Sequence, residues 1–332
     1  MPELRYNIVA QDWVIIATER AKRPKDFIKA KKEEKTLPEY KENCPFCPGN
    51  EKLTPQETYR LGDARSWKVR SVYNLYGALS ATEKPGRKAD GMHMSMNGFG
   101  NAEVIIEHPR HNTCIALMSN EEVVNIIRSY KDRYQAIEKI EGIESIIIFK
   151  NHGPSAGTSL EHPHSQLIAT PVVPQQIRNR MEQAIGYFDA NGQCLFCKTM
   201  VEELKSKARV ILETDNFISF LPYAGFAPFL IWIFPRRHTA SFAQINESEI
   251  KDLAFSLKNV LQKLYYGLDN PDFNYTIRTT PVKEQGLEYF HWYLNIIPRL
   301  TQPAGFELGS GMFINTALPE ESAEFLRQVK CP

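Results

Sequence analysis

The chain has 332 residues, 42% hydrophobic and 24% charged, with 40 Lys+Arg against 39 Asp+Glu and a formal net charge of +1. That length allows two domains with real cores or one large one, and the balanced charge supplies no overall field to recruit nucleic acid or an anionic membrane. With no apolar run near the roughly 20 residues of a membrane span and no signal-peptide stretch in Met1-Pro2-Glu3-Leu4-Arg5-Tyr6, a cytoplasmic protein is expected, whose six cysteines serve as thiols or metal ligands.

Trp13-Val14-Ile15-Ile16-Ala17 reads as a strand ending in a basic loop, Arg20-Ala21-Lys22-Arg23-Pro24. Residues 22–42 are Lys/Glu/Pro-rich and predict an exposed, mobile connection. Cys44-Pro45-Phe46-Cys47 predicts a tight turn, residues 69–73 a strand leading to Asn74, and residues 81–100 a long loop. Residues 102–107 form a further strand. Ser119-Asn120-Glu121-Glu122 opens a helix in capping fashion, with Val123, Ile126, Ile127, Tyr130 and Tyr134 at helical spacing. Residues 145–149 predict a buried strand, and a second helix is expected from about 174 to 186, leading to Cys194-Leu195-Phe196-Cys197. Strands follow at 217–220 and 229–234, then a helix at 246–266 and strands at 274–278 and 291–298.

The pattern occurs twice. The first half runs Cys44-x-x-Cys47, strand, His111, helix, strand, His162; the second runs Cys194-x-x-Cys197, strand, His238, helix, strand, His291. The interval between the two histidines is 51 residues in one copy and 53 in the other. Four ligand types in the same order twice argue for a duplicated unit, each copy an antiparallel sheet with one main helix, an α+β arrangement. The division is expected at residues 1–186 and 187–332. Cys44, Cys47, His111 and His162 make a closed set of the kind zinc prefers, and Cys194, Cys197, His238 and His291 make a second. Both are read as structural, each pinning a turn to the strand that ends its unit. Cys114 and Cys331 read as a core thiol and a tail residue.

The copies differ where chemistry is expected. His162-Pro163-His164-Ser165-Gln166 in the first is matched by His291-Trp292-Tyr293-Leu294-Asn295 in the second. On a strand His162, His164 and Gln166 share a face. A metal-bound His162 leaves His164 spare, a neutral imidazole at pH 7 able to attack phosphorus and form a labile phosphoramidate. Gln166 is positioned to donate to a phosphoryl or bridging oxygen. Gly153, Gly157 and Ser159 lie in a loop whose backbone N–H groups suit phosphate, and Arg20 and Arg23 suit a second phosphate.

These motifs, together with the tail Pro303-Ala304-Gly305-Phe306-Glu307-Leu308-Gly309, resemble the galactose-1-phosphate uridylyltransferase family of the histidine-triad superfamily over nearly the whole chain. The resemblance implies two fused histidine-triad-like half-barrels and a cytoplasmic homodimer. It implies a ping-pong nucleotidyltransferase with His164 as nucleophile and Gln166 holding the transferred group. Asn151 and Ser159 would line the phosphate site, and Asn74 would lie near the nucleoside. Zinc is implied at the first metal set, with iron an alternative for the second. Substrates would be a nucleotide-sugar with a hexose 1-phosphate, and UDP-glucose with galactose 1-phosphate, the family default, is the leading expectation, with an ADP-glucose phosphorylase as the alternative. Ser165 where the best-known branch has Gly, Asn74-Leu75-Tyr76, both metal sets and the tail are more similar to the ADP-glucose phosphorylase branch, where phosphate accepts the adenylyl group. A zinc-stapled nucleotide-binding protein without turnover is the non-enzymatic alternative. The long Cys/His spacings argue against a nucleic-acid-binding finger.

Overall fold

Two five-stranded antiparallel ladders with the same internal order meet edge to edge in one ten-stranded sheet. The computed structural model describes residues 2–17, 24–27, 37–63, 66–82 and 84–332. In chain order the elements are β1 (Glu3–Asn7), β2 (Asp12–Ile16), β3 (Glu57–Gly62), β4 (Trp67–Tyr73), β5 (Arg87–Asp90), β6 (His93–Met96), β7 (Asn101–Ile106), α1 (Asn120–Ile137), β8 (Ser145–His152) and β9 (His164–Thr170). There follow α2 (Gln175–Asn191), α3 (Leu195–Ser206), β10 (Val210–Glu213), β11 (Phe217–Phe220), β12 (Ile231–Pro235), α4 (Glu247–Gly267), β13 (Phe273–Arg278), β14 (Tyr293–Pro298), α5 (Gly305–Ser310), β15 (Phe313–Asn315) and α6 (Pro319–Gln328). The large sheet runs β3-β4-β7-β9-β8 and then β13-β14-β12-β11-β10, so the seam is the β8–β13 pair. The fold is α+β, as the duplication predicts.

The two main helices start where their sequences dictate. The Ser119 hydroxyl accepts from Glu122 N–H while Glu122 accepts from Ser119 N–H, and Asn246 and Glu249 repeat the arrangement at α4. α1 and α4 pack on each other and on one face of the sheet, where Ile105, Ile148, Leu167, Ile233 and Leu294 meet Ile126, Tyr130, Leu253 and Leu257 in a core shared by both halves. The opposite face is treated differently in the two halves. Behind β12 and β14, α2 and α3 cover an aromatic cluster of Phe196, Phe220, Trp232, Phe234 and Tyr293. Behind β7 and β9 the cluster is smaller, built on Cys44, Phe46, Cys47, Trp67 and Ile106. Among the described residues, Gln166, Ile168 and Thr170 of β9 stay half-buried on this face, whereas Tyr293 and Asn295 of β14 are buried.

Several expectations need correction. Residues 81–100 contain the β5–β6 hairpin; its strands are almost wholly exposed, so no burial pattern marked them. The second helix runs on to Asn191, ending at Gly192 in the left-handed conformation rather than at Gly186. Cys194 is the N-cap of α3, so the second cysteine pair opens a helix instead of a tight turn. Within the connection expected to be exposed, Phe27 is buried against Phe229.

Candidate active site

The first metal set is gathered from three places. Cys44 and Cys47 flank a turn closed by a hydrogen bond from Cys47 N–H to the Cys44 carbonyl (3.2 Å). His111 follows β7, and His162 lies two residues before β9. The four donor atoms lie within 4.8 Å of one another and all four residues are buried. Nδ1 of His162 is 3.7 Å from Cys44 Sγ, and Nδ1 of His111 is 3.6 Å from Cys47 Sγ. His162 Nε2–H donates to the His108 carbonyl at 2.7 Å, which turns the Nδ1 lone pair toward the thiols. Burial pushes the Cys44 thiol up to about 11. Two thiols and two imidazoles at these separations fit a tetrahedral cation, whose charge would bring the thiolates into being.

The second set follows the same rule. Its donors also lie within 4.8 Å, with Cys197 Sγ 3.2 Å from His238 Nδ1 and 3.4 Å from His291 Nδ1. The two Nε2 atoms donate to the Leu287 and Pro235 carbonyls at 3.1 and 2.8 Å. A hydrogen bond from the Cys197 thiol holds Cys194 well below the usual thiol range, helped by its position at a helix N-terminus. Cys197 and His238 are only half-buried, so this set is the more open.

His164 is the first residue of β9 and is 8% exposed. Its Nδ1 lies 2.8 Å from the His162 carbonyl; a carbonyl only accepts, so Nδ1 carries the proton and Nε2 keeps a free lone pair. Burial lowers the imidazole pKa from its ordinary 6.5, outweighing that hydrogen bond, so the ring is neutral at pH 7. The Phe46 ring, from the cysteine turn, meets His162 and His164 edge-on with centroids 6.0 and 5.5 Å away. The cysteine turn thus packs directly on the His164 imidazole. Gln166 lies two residues along the same strand, between Val104 and Phe149.

Ser165 faces the other way. Its hydroxyl donates to Glu107, and Tyr130 and Tyr275 crowd the same group. Lys150 joins them, with Nζ 2.5 Å from Glu107 Oε2 and 2.9 Å from the His164 carbonyl. None of these four partners was singled out as a site residue from sequence. The one legible sign was a lysine in the run Ile146-Ile147-Ile148-Phe149-Lys150.

The counterparts in the second half are closed off. Tyr293, matching His164, is packed among Phe196, Trp232 and Phe234. Asn295, matching Gln166, accepts from Trp232 Nε1 at 2.9 Å.

Asn151 is near the end of β8, and Gly157 and Ser159 lie in the loop that returns to His162. Gly153 and Gly157 have φ of +83° and +88°, a backbone that glycine adopts freely. Asn74, half-buried, follows β4, its N–H donating to the Ala102 carbonyl. Ala102 pairs with Ile168, so Asn74 lies two strands over from β9, level with Ile168 and offset from His164 by four residues, about 13 Å along the strand direction. Arg20 and Arg23 lie outside the described residues.

Residues 1–174 match the family model for the galactose-1-phosphate uridyl transferase N-terminal domain, and residues 180–324 match its C-terminal domain. The chain is 39% identical over 333 residues to the ADP-glucose phosphorylase of Arabidopsis thaliana, covering 99% of this chain and 93% of that protein. It is 28% identical over 340 residues to the galactose-1-phosphate uridylyltransferase of Thermotoga maritima, covering 99% of each. The structure of an Arabidopsis thaliana ADP-glucose phosphorylase with bound ADP-glucose superposes with a TM-score of 0.84 at 35% identity, over 99% of both chains. A uridylyltransferase structure has the same fold, with a TM-score of 0.76 at 23% identity over 98% of this chain and 97% of that one.

Proposed function

The chain belongs to the galactose-1-phosphate uridyl transferase family, and from that premise we propose that it moves a nucleotidyl group between a nucleotide-sugar and a phosphate acceptor through His164. Nε2 of His164 attacks the phosphorus next to the nucleoside. The P–N bond forms, the bond to the bridging oxygen breaks, and a sugar 1-phosphate leaves. An acceptor oxygen then attacks the same phosphorus and the P–N bond breaks, freeing the imidazole. The observation that carries this reading is the His164 ring, its Nδ1 proton tied to the His162 carbonyl and its other nitrogen unencumbered. Gln166 stabilises charge on the transferred group, and Asn151, Gly157 and Ser159 line its path. Arg20, Arg23 and Asn74 are proposed as further contacts to phosphates and nucleoside.

The family supports both adenylyl transfer to phosphate and uridylyl transfer to galactose 1-phosphate. We put adenylyl transfer from ADP-glucose first. The 39% identity to an ADP-glucose phosphorylase exceeds the 28% to uridylyltransferases, although uridylyl chemistry is the family default. Zinc is proposed at both Cys/His sets; when bound it supplies fixed positive charge and cross-links each unit. We further propose units of residues 1–186 and 187–332, with α2 running across the junction, and a cytoplasmic homodimer. Among the described residues no helix is long and apolar enough to cross a membrane.

The test is to incubate the protein with ADP-glucose or UDP-glucose labelled in the phosphoryl group next to the nucleoside. Acid-labile, protein-bound label from ADP-glucose, released by phosphate, is expected. Label from UDP-glucose released by galactose 1-phosphate would reverse the substrate order, and no label from either would sink the transferase reading. His164→Gly is expected to lose labelling by at least about 10⁴-fold, and added imidazole should restore part of the transfer to the acceptor without restoring protein-bound label.

A further inference from the structure

β13 of the second half lies against β8 of the first, with Asn274 opposite Asn151. Three hydrogen bonds tie this neighbourhood to the phosphate loop. Asn274 Nδ2 donates to the Ala156 carbonyl at 2.9 Å and to Asn151 Oδ1 at 2.8 Å. Ser155 N–H donates to Asp272 Oδ2 at 2.6 Å, where Gly153 leaves room: a Cβ there would stand 2.0 Å from Asp272 Oδ1.

The polarity of this chain of bonds is forced. A backbone carbonyl can only accept, so Ala156 determines which end of the Asn274 carboxamide is the NH₂ group. That group's second hydrogen then requires an oxygen at Asn151. The Asn151 NH₂ is left on the other side of its carboxamide, toward Gly157, where a Cβ would meet only that nitrogen, at 3.9 Å.

We propose that Asn274 is a positioning residue that makes Asn151 a hydrogen-bond donor to the transferred phosphoryl group, while Asp272 holds the loop at Ser155. The inference rests on the nucleotidyl-histidine reading. Phosphoryl oxygens only accept, so a reversed Asn151 amide would aim an oxygen lone pair at them. The half without the nucleophile therefore sets the polarity of the half that has it.

Asn274→Asp tests this with almost no change in shape. The carboxylate cannot donate to Ala156 and draws the Asn151 NH₂ toward itself. With the nucleotide-sugar that labels the wild type, single-turnover formation of the adduct is expected to slow by about 10²-fold, with the dissociation constant for that nucleotide-sugar changed far less. Asn151→Ala is expected to slow the wild type similarly and to add little in the Asn274→Asp background, because both remove one donor. A wild-type labelling rate in Asn274→Asp, or two losses that multiply, overturns the proposal. If Asn274→Asp fails to melt cooperatively, Asn274→Ala takes its place: it frees the Asn151 amide without reversing it, and a loss of about tenfold supports the proposal while an unchanged rate overturns it. A wild type that takes no label would count against the transferase reading and, with it, this inference. Normal wild-type labelling with an insensitive Asn274 overturns this inference alone.

Discussion

The Lys150 ammonium donates to the backbone carbonyl of His164 at 2.9 Å, mooring the proposed nucleophile's own peptide to a buried ion pair. Glu107, its partner, also accepts hydrogen bonds from Ser165 and Tyr130. Lys150→Met would leave that carboxylate buried and uncompensated, a change that costs about 3–5 kcal/mol. Urea unfolding should register the loss, and Glu107→Leu added to Lys150→Met should recover most of it. An unaltered midpoint in the single variant would show that the pair does not hold this strand.

The same pair sets an acid dependence. Burial alone would raise the Glu107 carboxyl, but the Lys150 charge and hydrogen bonds from Lys150 and Ser165 overturn that and hold it below its ordinary value of 4.5. With the folded value depressed, the stabilisation is fully present above the ordinary carboxylate range and is lost as pH falls through the folded value. Without Lys150, burial prevails and the sign reverses. The stability gap between wild type and Lys150→Met should therefore be widest near pH 7 and narrow on acidification, from above the ordinary 4.5, where the variant's Glu107 takes up its proton, to below it, where the wild type's does. Melting curves across that range decide it; a constant gap would refute the assignment.

Chelation should remove the two proposed zinc ions in order. All four residues of the Cys44 set are buried, whereas Cys197 and His238 are half-exposed, so the second site is expected to release its ion first. A dye that reports free zinc should show two kinetic phases of one equivalent each. Cys197→Ser should abolish the fast phase and Cys44→Ser the slow one.

Gly153→Ala should be more damaging than Gly157→Ala. Both positions have positive φ, but an added methyl at 153 would overlap Asp272 while at 157 the space is open. Backbone strain costs about 1–3 kcal/mol at either site, and the overlap at 153 adds the loss of the Ser155–Asp272 hydrogen bond. Thermal melts together with KM for the nucleotide-sugar are the measurement; equal effects would argue against Asp272 as the loop's anchor.

Sequence alone carried the duplication and both metal sets, because zinc-type ligands are rare residues at repeated intervals and need no packing information to be noticed. It singled out His164 as a candidate because the second copy has Tyr293 there. The group behind β9 was hidden for a physical reason. Tyr130 sits at a helical apolar spacing and Tyr275 on a strand, so each reads as ordinary core until Glu107 and Lys150 are brought to them by non-adjacent strands. Ser165 looked like a spacer for the same reason; its partner lies 58 positions away. Asn274 was legible only as part of a strand, since its meaning comes from the seam. The β5–β6 hairpin and α3 escaped because one buries almost nothing and the other begins on a cysteine pair read as a turn.

The seam itself is pseudo-symmetric. Phe149 pairs with Gln166 in the first ladder and Thr276 with Asn295 in the second, so Phe149 and Thr276 are equivalent positions, and they face each other across the join. A pseudo-two-fold axis passes between them, the geometry of an isologous dimer interface now enclosed in one chain. Equivalent positions reach across it in both directions. Asn274 enters the half that holds His164, and its mate Ile147 packs into the aromatic cluster of the other. On the reading proposed above, one half carries the chemistry and the other supports it, and the axis is where the two meet.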